Sequence, residues 1–180
     1  EVLRRGAAET HAVTDAIALH RAFVAGDLDG VKVALGNPTD FPICRGPVGV
    51  GENLLEYAIY HSPLEFVRTL IDLGADVNYT EHAGFPSVIA ALSTERADLR
   101  EIVELLLDRG AKIQEKGVNG WTPLHYAAAT NDLQMIELLV ARGADLNART
   151  EIDDYATPLE EAEILGKTDA VALLRNLSNA

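Results

Sequence analysis

The chain has 180 residues, 48% of them hydrophobic and 24% charged, so it carries enough apolar material for a sizeable core and is no disordered polymer. Fifteen Lys and Arg against 28 Asp and Glu leave a net charge of −13, spread as 6 against 12 in the first 90 residues and 9 against 16 in the rest. A surface acidic along its whole length repels phosphate backbones and anionic lipid, which argues against generic nucleic-acid binding and for a basic partner. No apolar run approaches 18 residues, and Cys44 stands alone, without an internal disulfide or a thiolate metal cluster to join.

In chain order, residues 1–15 read as an N-terminal extension, frayed before His11. From there one apolar register recurs. With the opening residue taken as zero, apolar or small residues are expected at +1, +4, +10, +13, +15 and +16. From Ala18 the pattern gives Leu19, Ala22, Leu28, Val31, Val33 and Ala34, and an irregular loop follows through Pro38, Pro42, Gly46, Pro47, Gly49 and Gly51. From Leu54 it gives Leu55, Ala58, Leu64, Val67, Thr69 and Leu70, closing on Gly74-Ala75-Asp76-Val77-Asn78. From Pro86 it fits through Ala90 and Ala91. Its second half follows after about four extra residues near Ser93–Asp98, reaching Leu99, Ile102, Leu105, Leu106 and Gly110-Ala111.

From Pro123 the match is complete: Leu124, Ala127, Leu133, Ile136, Leu138 and Leu139, closing on Gly143-Ala144-Asp145-Leu146-Asn147. From Pro158 it gives Leu159, Ala162, Thr168, Val171, Leu173 and Leu174. The openings at Ile17, Asn53, Phe85, Thr122 and Thr157 are spaced 36, 32, 37 and 35 residues apart. Each unit reads as two helices and a connecting finger. Thr122 caps the first helix, Pro123 takes the first helical position where its missing N–H costs nothing, and Gly143 ends the second helix in a left-handed conformation. Small Ala127 and Ala128 let the helices approach closely.

The stretch Thr122-Pro123-Leu124-His125-Tyr126-Ala127-Ala128 with Gly143-Ala144-Asp145-Leu146-Asn147 resembles the ankyrin repeat, and its register covers the chain from about Ala16 to Leu177. The resemblance implies an all-α ankyrin-repeat solenoid whose helix–turn–helix units bury their apolar faces against one another. The implied organisation is a single domain over residues 16–180, with units near 16–50, 51–82, 83–118, 119–153 and 154–180, the first and last acting as caps. It also implies that the opening His, present as His20 and His125, ties adjacent fingers together. Asn53-Leu54-Leu55-Glu56, Phe85-Pro86-Ser87-Val88 and Thr157-Pro158-Leu159-Glu160 lack that His.

Chemistry is scarce. Gly166-Lys167-Thr168 imitates the tail of a phosphate loop, but Glu161 stands where that loop needs Gly, so a turn between helices is expected. Gly46–Gly51 has no following Lys-Ser/Thr. None of the five His makes a helical zinc pair, and none of the four Ser lies in a nucleophile elbow, so neither a metal nor any other cofactor is expected. Cys44 reads as an inert loop thiol. Asn78 and Asn147 read as turn residues.

Glu151, Asp153, Asp154, Glu160, Glu161 and Glu163 crowd thirteen residues and read as a solvated face or a docking site for basic sequence. Trp121, just before the opening Thr, takes a position where Glu52, Gly84 and Ala156 stand in other units. The resemblance implies that this position projects toward a concave groove, so Trp121 is expected to be exposed and to act as a binding anchor. Tyr60, His61, Ala129, Thr130, Ile164 and Leu165 on the first helices, and His82, Asp153, Asp154 and Tyr155 on the fingers, complete the candidate surface.

The expected function is non-enzymatic recognition of another protein, one with a basic surface, through the concave face. The alternative is an acidic inhibitor or immunity-type protein that plugs a basic enzyme site, and the third class is an enzyme or its non-catalytic module. A monomer in the cytoplasm is expected, with neither nucleic acid nor membrane as partner.

Overall fold

The computed structural model describes residues 16–44, 53–79, 85–152 and 155–179, and its regular elements are all helical. The chain divides into two compact units, Glu1–Gly84 and Phe85–Ala180.

In the first unit, α1 (residues 16–25) and α2 (Leu28–Ala34) form one helix pair, and α3 (Leu54–His61) and α4 (Leu64–Asp72) form the next. Asp27 accepts from the Gly30 N–H at 3.0 Å to start α2, and Asn53 accepts from the Glu56 N–H at 2.8 Å to start α3. Phe23, Leu54, Leu55, Ile59 and Leu70 are fully buried, with the edge of Phe23 set against Tyr57 and Phe66. Residues 35–44 turn repeatedly, as the irregular loop requires, and Lys32 Nζ lies 5.4 Å from the Phe41 ring centre. Val33 departs from the expected core: it is 67% exposed, whereas Leu138 at the same register position is 6% exposed.

In the second unit, three helix pairs follow: α5 (Ser87–Leu92) with α6 (Leu99–Asp108), α7 (Pro123–Thr130) with α8 (Leu133–Ala141), and α9 (Pro158–Ile164) with α10 (Thr168–Ser178). A 3-10 turn, Val118–Gly120, sits on the finger before α7. Ile89, Ile102, Leu106, Leu124, Ile136, Leu139 and Leu174 are fully buried between layers, and Ala127, Ala128 and Ala162 are the small residues at the crossings. Gly143 ends α8 with φ +90°, which lets the Ala144 N–H reach back to the Leu139 carbonyl at 2.9 Å. Gly74 and Gly110 end α4 and α6 in the same way.

The turns between α7 and α8 and between α9 and α10 each use a left-handed residue, Asn131 at φ +60° and Gly166 at φ +66°. The Gly166-Lys167-Thr168 sequence is therefore the second of these turns, as its spacing suggested. Asn131 does a second job. Its Oδ1 accepts from the Ala170 N–H at 2.9 Å, capping α10 of the following repeat, whose own N-cap residue, Lys167, has no acceptor to offer. At the far side of α9 and α10, Glu163 and Arg175 stand at the register positions of Ala128 and Val140 and pair at 2.6 Å. This face of the α9–α10 pair is thus charged.

Candidate functional site

The fingers of the second unit are fixed by backbone and charge together. The Gly117 N–H donates to the Trp121 carbonyl at 2.8 Å, and the Glu151 N–H of the next finger donates to the Asn119 carbonyl at 2.9 Å. A side chain on Gly120, which has φ +76°, would place its Cβ 2.6 Å from the Glu151 nitrogen, so only Gly lets the two fingers approach. Lys116 Nζ meets Glu151 at 2.9 Å. Arg149 Nη1 donates both to the Tyr155 carbonyl at 2.6 Å and to Glu160 at 3.0 Å. Glu160 also accepts from the Thr157 N–H at 2.7 Å, and these bonds hold its carboxyl below its usual pKa.

His125 is the buried joint beneath them. Its Nδ1 accepts from the Thr122 N–H at 3.1 Å, so its Nε2 carries the proton and donates to the Ala156 carbonyl of the next finger at 3.0 Å. Burial lowers its pKa most, the Ala156 bond opposes that, and Lys116 adds to the lowering, so the ring is neutral. The tie between fingers expected of this His is present here. Among the described residues His20 makes no such tie; it is exposed and bonds through Nδ1 to the Tyr57 hydroxyl at 2.8 Å.

Trp121 is half-buried where a free-standing ring was expected. It lies edge-on to Tyr126 with centroids 5.2 Å apart and tilted toward His125 at 6.2 Å. Three residues on the same two fingers are strongly exposed: Val118 at 62%, Ile152 at 56% and Tyr155 at 61%. Tyr155 takes the register place of Gly120 and has φ +48°, a left-handed conformation costly for an aromatic residue. Thr130 is exposed, with its hydroxyl donating to the Tyr126 carbonyl, and Ile164 and Leu165 are exposed at the end of α9. Tyr60, half-buried, and His61, exposed, belong to α3 of the first unit. His82, Asp153 and Asp154 lie outside the described residues.

Sequence reasoning passed over Val118, Ile152 and Tyr126. For Val118 and Ile152 the signal was an apolar residue inside a finger, visible only once the register of the fingers is known; Tyr126 lies on α7.

The acidic stretch is largely spoken for. Glu151, Glu160 and Glu163 pair with Lys116, Arg149 and Arg175 respectively. Asn78 and Asn147 sit in the finger turns, where the Asp76 and Asp145 side chains accept from their backbone N–H groups, each at 2.8 Å. The Cys44 thiol is pushed up in pKa by burial and then by Asp40, the opposite of an activated nucleophile. A shallow hollow of about 640 Å³ over Lys112, Ile113, Gln114, Glu115 and Lys116 brings no reactive groups together. Among the described residues no helix is long and apolar enough to cross a membrane.

Family models for ankyrin repeats match residues 87–180 and 55–107. The chain is 32% identical over 107 residues to the ankyrin repeat protein OPG189 of Variola virus, an overlap of 55% of this chain and 19% of that protein. It is 30% identical over 134 residues to an ankyrin repeat protein of Rickettsia bellii, covering 73% of this chain and 71% of the relative. Over 76 residues it is 40% identical to the mouse protein fem-1 homolog A-like, 42% of this chain and 11% of that one. The chain thus spans about a fifth or less of the viral and mouse proteins. The recurring register, the helix pairs and these matches agree: the chain belongs to the ankyrin-repeat family, whose repeats bind other proteins and are typically non-enzymatic.

Proposed function

We propose that this domain recognises a protein with a basic surface through the groove side of its repeats, with the fingers before α7 and α9 as the principal contact. The observation that carries this reading is the fingertip cluster. Val118 is exposed and Trp121 half-buried on the finger before α7, Ile152 and Tyr155 are exposed on the finger before α9, and a backbone bond joins the two fingers, in a chain of charge −13. Rigid aromatic and aliphatic side chains on a preorganised support are what a binding anchor needs, because little entropy is lost on contact. The negative field supplies steering and discriminates against acidic competitors and nucleic acid. Acting as a cytoplasmic monomer is part of the same reading, supported by the lone Cys44 and by the charged face at Glu163 and Arg175.

The test is association with a purified basic partner, followed through Trp121, the one Trp of the chain. Binding at the fingers shifts its emission to the blue and fails in a Tyr155→Ala, Ile152→Ala double variant. Unchanged emission with unchanged affinity in that variant places the contact elsewhere. Stoichiometric inhibition of a basic enzyme by the same surface would select the inhibitor reading.

A further inference from the structure

Tyr155 stands at the register position that Gly120 takes one repeat earlier, and both have a left-handed backbone, at φ +48° and φ +76°. At Gly120 the Glu151 nitrogen of the next finger forbids a side chain; Tyr155 is exposed, so what opposes a side chain there is its own φ. Gly or Asn meets that demand easily, and an aromatic residue is among the worst suited to it. The conformation persists because the chain around it is braced. Arg149 Nη1 donates to the Tyr155 carbonyl at 2.6 Å and is itself held by Glu160 at 3.0 Å. The next residue, Ala156, is pinned on both sides. Its N–H donates to Thr150 Oγ1 at 3.0 Å, and its carbonyl accepts from the Thr150 N–H at 3.1 Å and from His125 Nε2 at 3.0 Å. A backbone held against its own preference at an exposed position marks a residue kept for contact and not for folding. Among the described residues no ring packs on Tyr155 and no cation lies over it, whereas Trp121 leans on Tyr126 and Phe41 carries Lys32.

We propose that Tyr155 is the residue by which the domain tells arginine from lysine in a basic partner, a guanidinium stacking on its ring, with Arg149 as the positioning residue. The inference rests on the fingertip reading above and adds the chemistry of the group bound. A chain of charge −13 draws both kinds of cation to its surface and does not distinguish them. An open aromatic face does. A guanidinium is planar, delocalised and weakly hydrated, so it gives up little water when laid on a phenol, whereas an ammonium is compact and holds its hydration shell. With the backbone of Tyr155 already fixed, the contact has little to order besides the ring and the incoming side chain. The guanidinium of Arg149 does not compete for the ring, because it is engaged by Glu160 and the Tyr155 carbonyl.

The experiment measures binding of labelled oligo-arginine and oligo-lysine peptides of equal length and charge to the full chain, by fluorescence anisotropy at low salt. Ring resonances of Tyr155 are followed by NMR in parallel. The expected result is tighter binding of oligo-arginine by about two- to fivefold, the size of an exposed cation–π contact, with the Tyr155 resonances shifting. Tyr155→Phe should keep this ratio and Tyr155→Leu should abolish it. Arg149→Gln should lower it as well. Both peptides carry the same charge, so losing the Arg149 cation changes the two affinities alike and the ratio still reports the placement of Tyr155. Tyr155→Asn, checked for folding by circular dichroism, should lose the preference and melt above the parent, because Asn accepts a left-handed backbone. Equal binding of the two peptides by the parent, or a preference that survives Tyr155→Leu, overturns the arginine assignment and leaves the basic-partner reading standing. Binding of neither peptide overturns both. A Tyr155→Asn variant that melts below the parent would show that the ring is there for packing, and overturns the proposal too.

Discussion

Trp121 contributes to two quantities at once. Because its ring leans on Tyr126, removal costs packing as well as any partner contact. An edge-to-face pair is worth about 0.5–1.5 kcal/mol beyond its buried area, so Trp121→Ala should lower stability by about 1–2 kcal/mol in denaturant titrations. The same change should weaken partner binding by about 2 kcal/mol or more. A mutant as stable as the parent would mean that the ring is free of Tyr126 in solution. His125 sets a different expectation. Its folded pKa lies below the unfolded value of 6.5, so unfolding takes up a proton. Its contribution to stability is complete above pH 6.5 and drains away as pH falls from there toward the folded pKa. Melting temperature should therefore drop between about pH 6.5 and pH 5, and drop less in His125→Gln, which has no proton to gain in that range. A parent and variant with parallel profiles would show that the acid response comes from other groups.

Among elements, α8 is the simplest to test. Leu139 is fully buried where α8 meets its neighbours, and Leu139→Ala should cost about 2–5 kcal/mol in urea unfolding, through lost transfer energy and the cavity left behind. A loss below 1 kcal/mol would show that the layers close over the gap. Helices such as α8 were legible in the sequence because their apolar spacing, Pro at the first turn and Gly at the end are local signals. The fingers were only half legible. Gly120 announces a turn, but nothing local says that Glu151 from the next unit closes on it or that Tyr155 occupies the equivalent place. The bond between His20 and Tyr57 was hidden for the same reason, since 37 residues of sequence separate two side chains that α1 and α3 bring together.

For the whole molecule, charge makes the sharpest statement. Association with a basic partner should slow markedly as salt rises from low to physiological, because screening confines the field of a −13 chain to about 8 Å. Stopped-flow rates that ignore ionic strength would leave apolar contacts as the only driver. Composition foretold this field but not its local settlement, since Glu151, Glu160 and Glu163 turn out to be paired and only their count was visible beforehand. The molecule also carries dependence between repeats at the level of single bonds. Asn131 caps α10 across a repeat boundary, so when the α7–α8 turn opens, the amide of Ala170 loses its acceptor while its own helix is still wound. Fraying in one repeat is thereby handed to the next. Units that look interchangeable in sequence melt as a coupled series, and α10 cannot be excised or transplanted without losing a cap that its own segment does not encode.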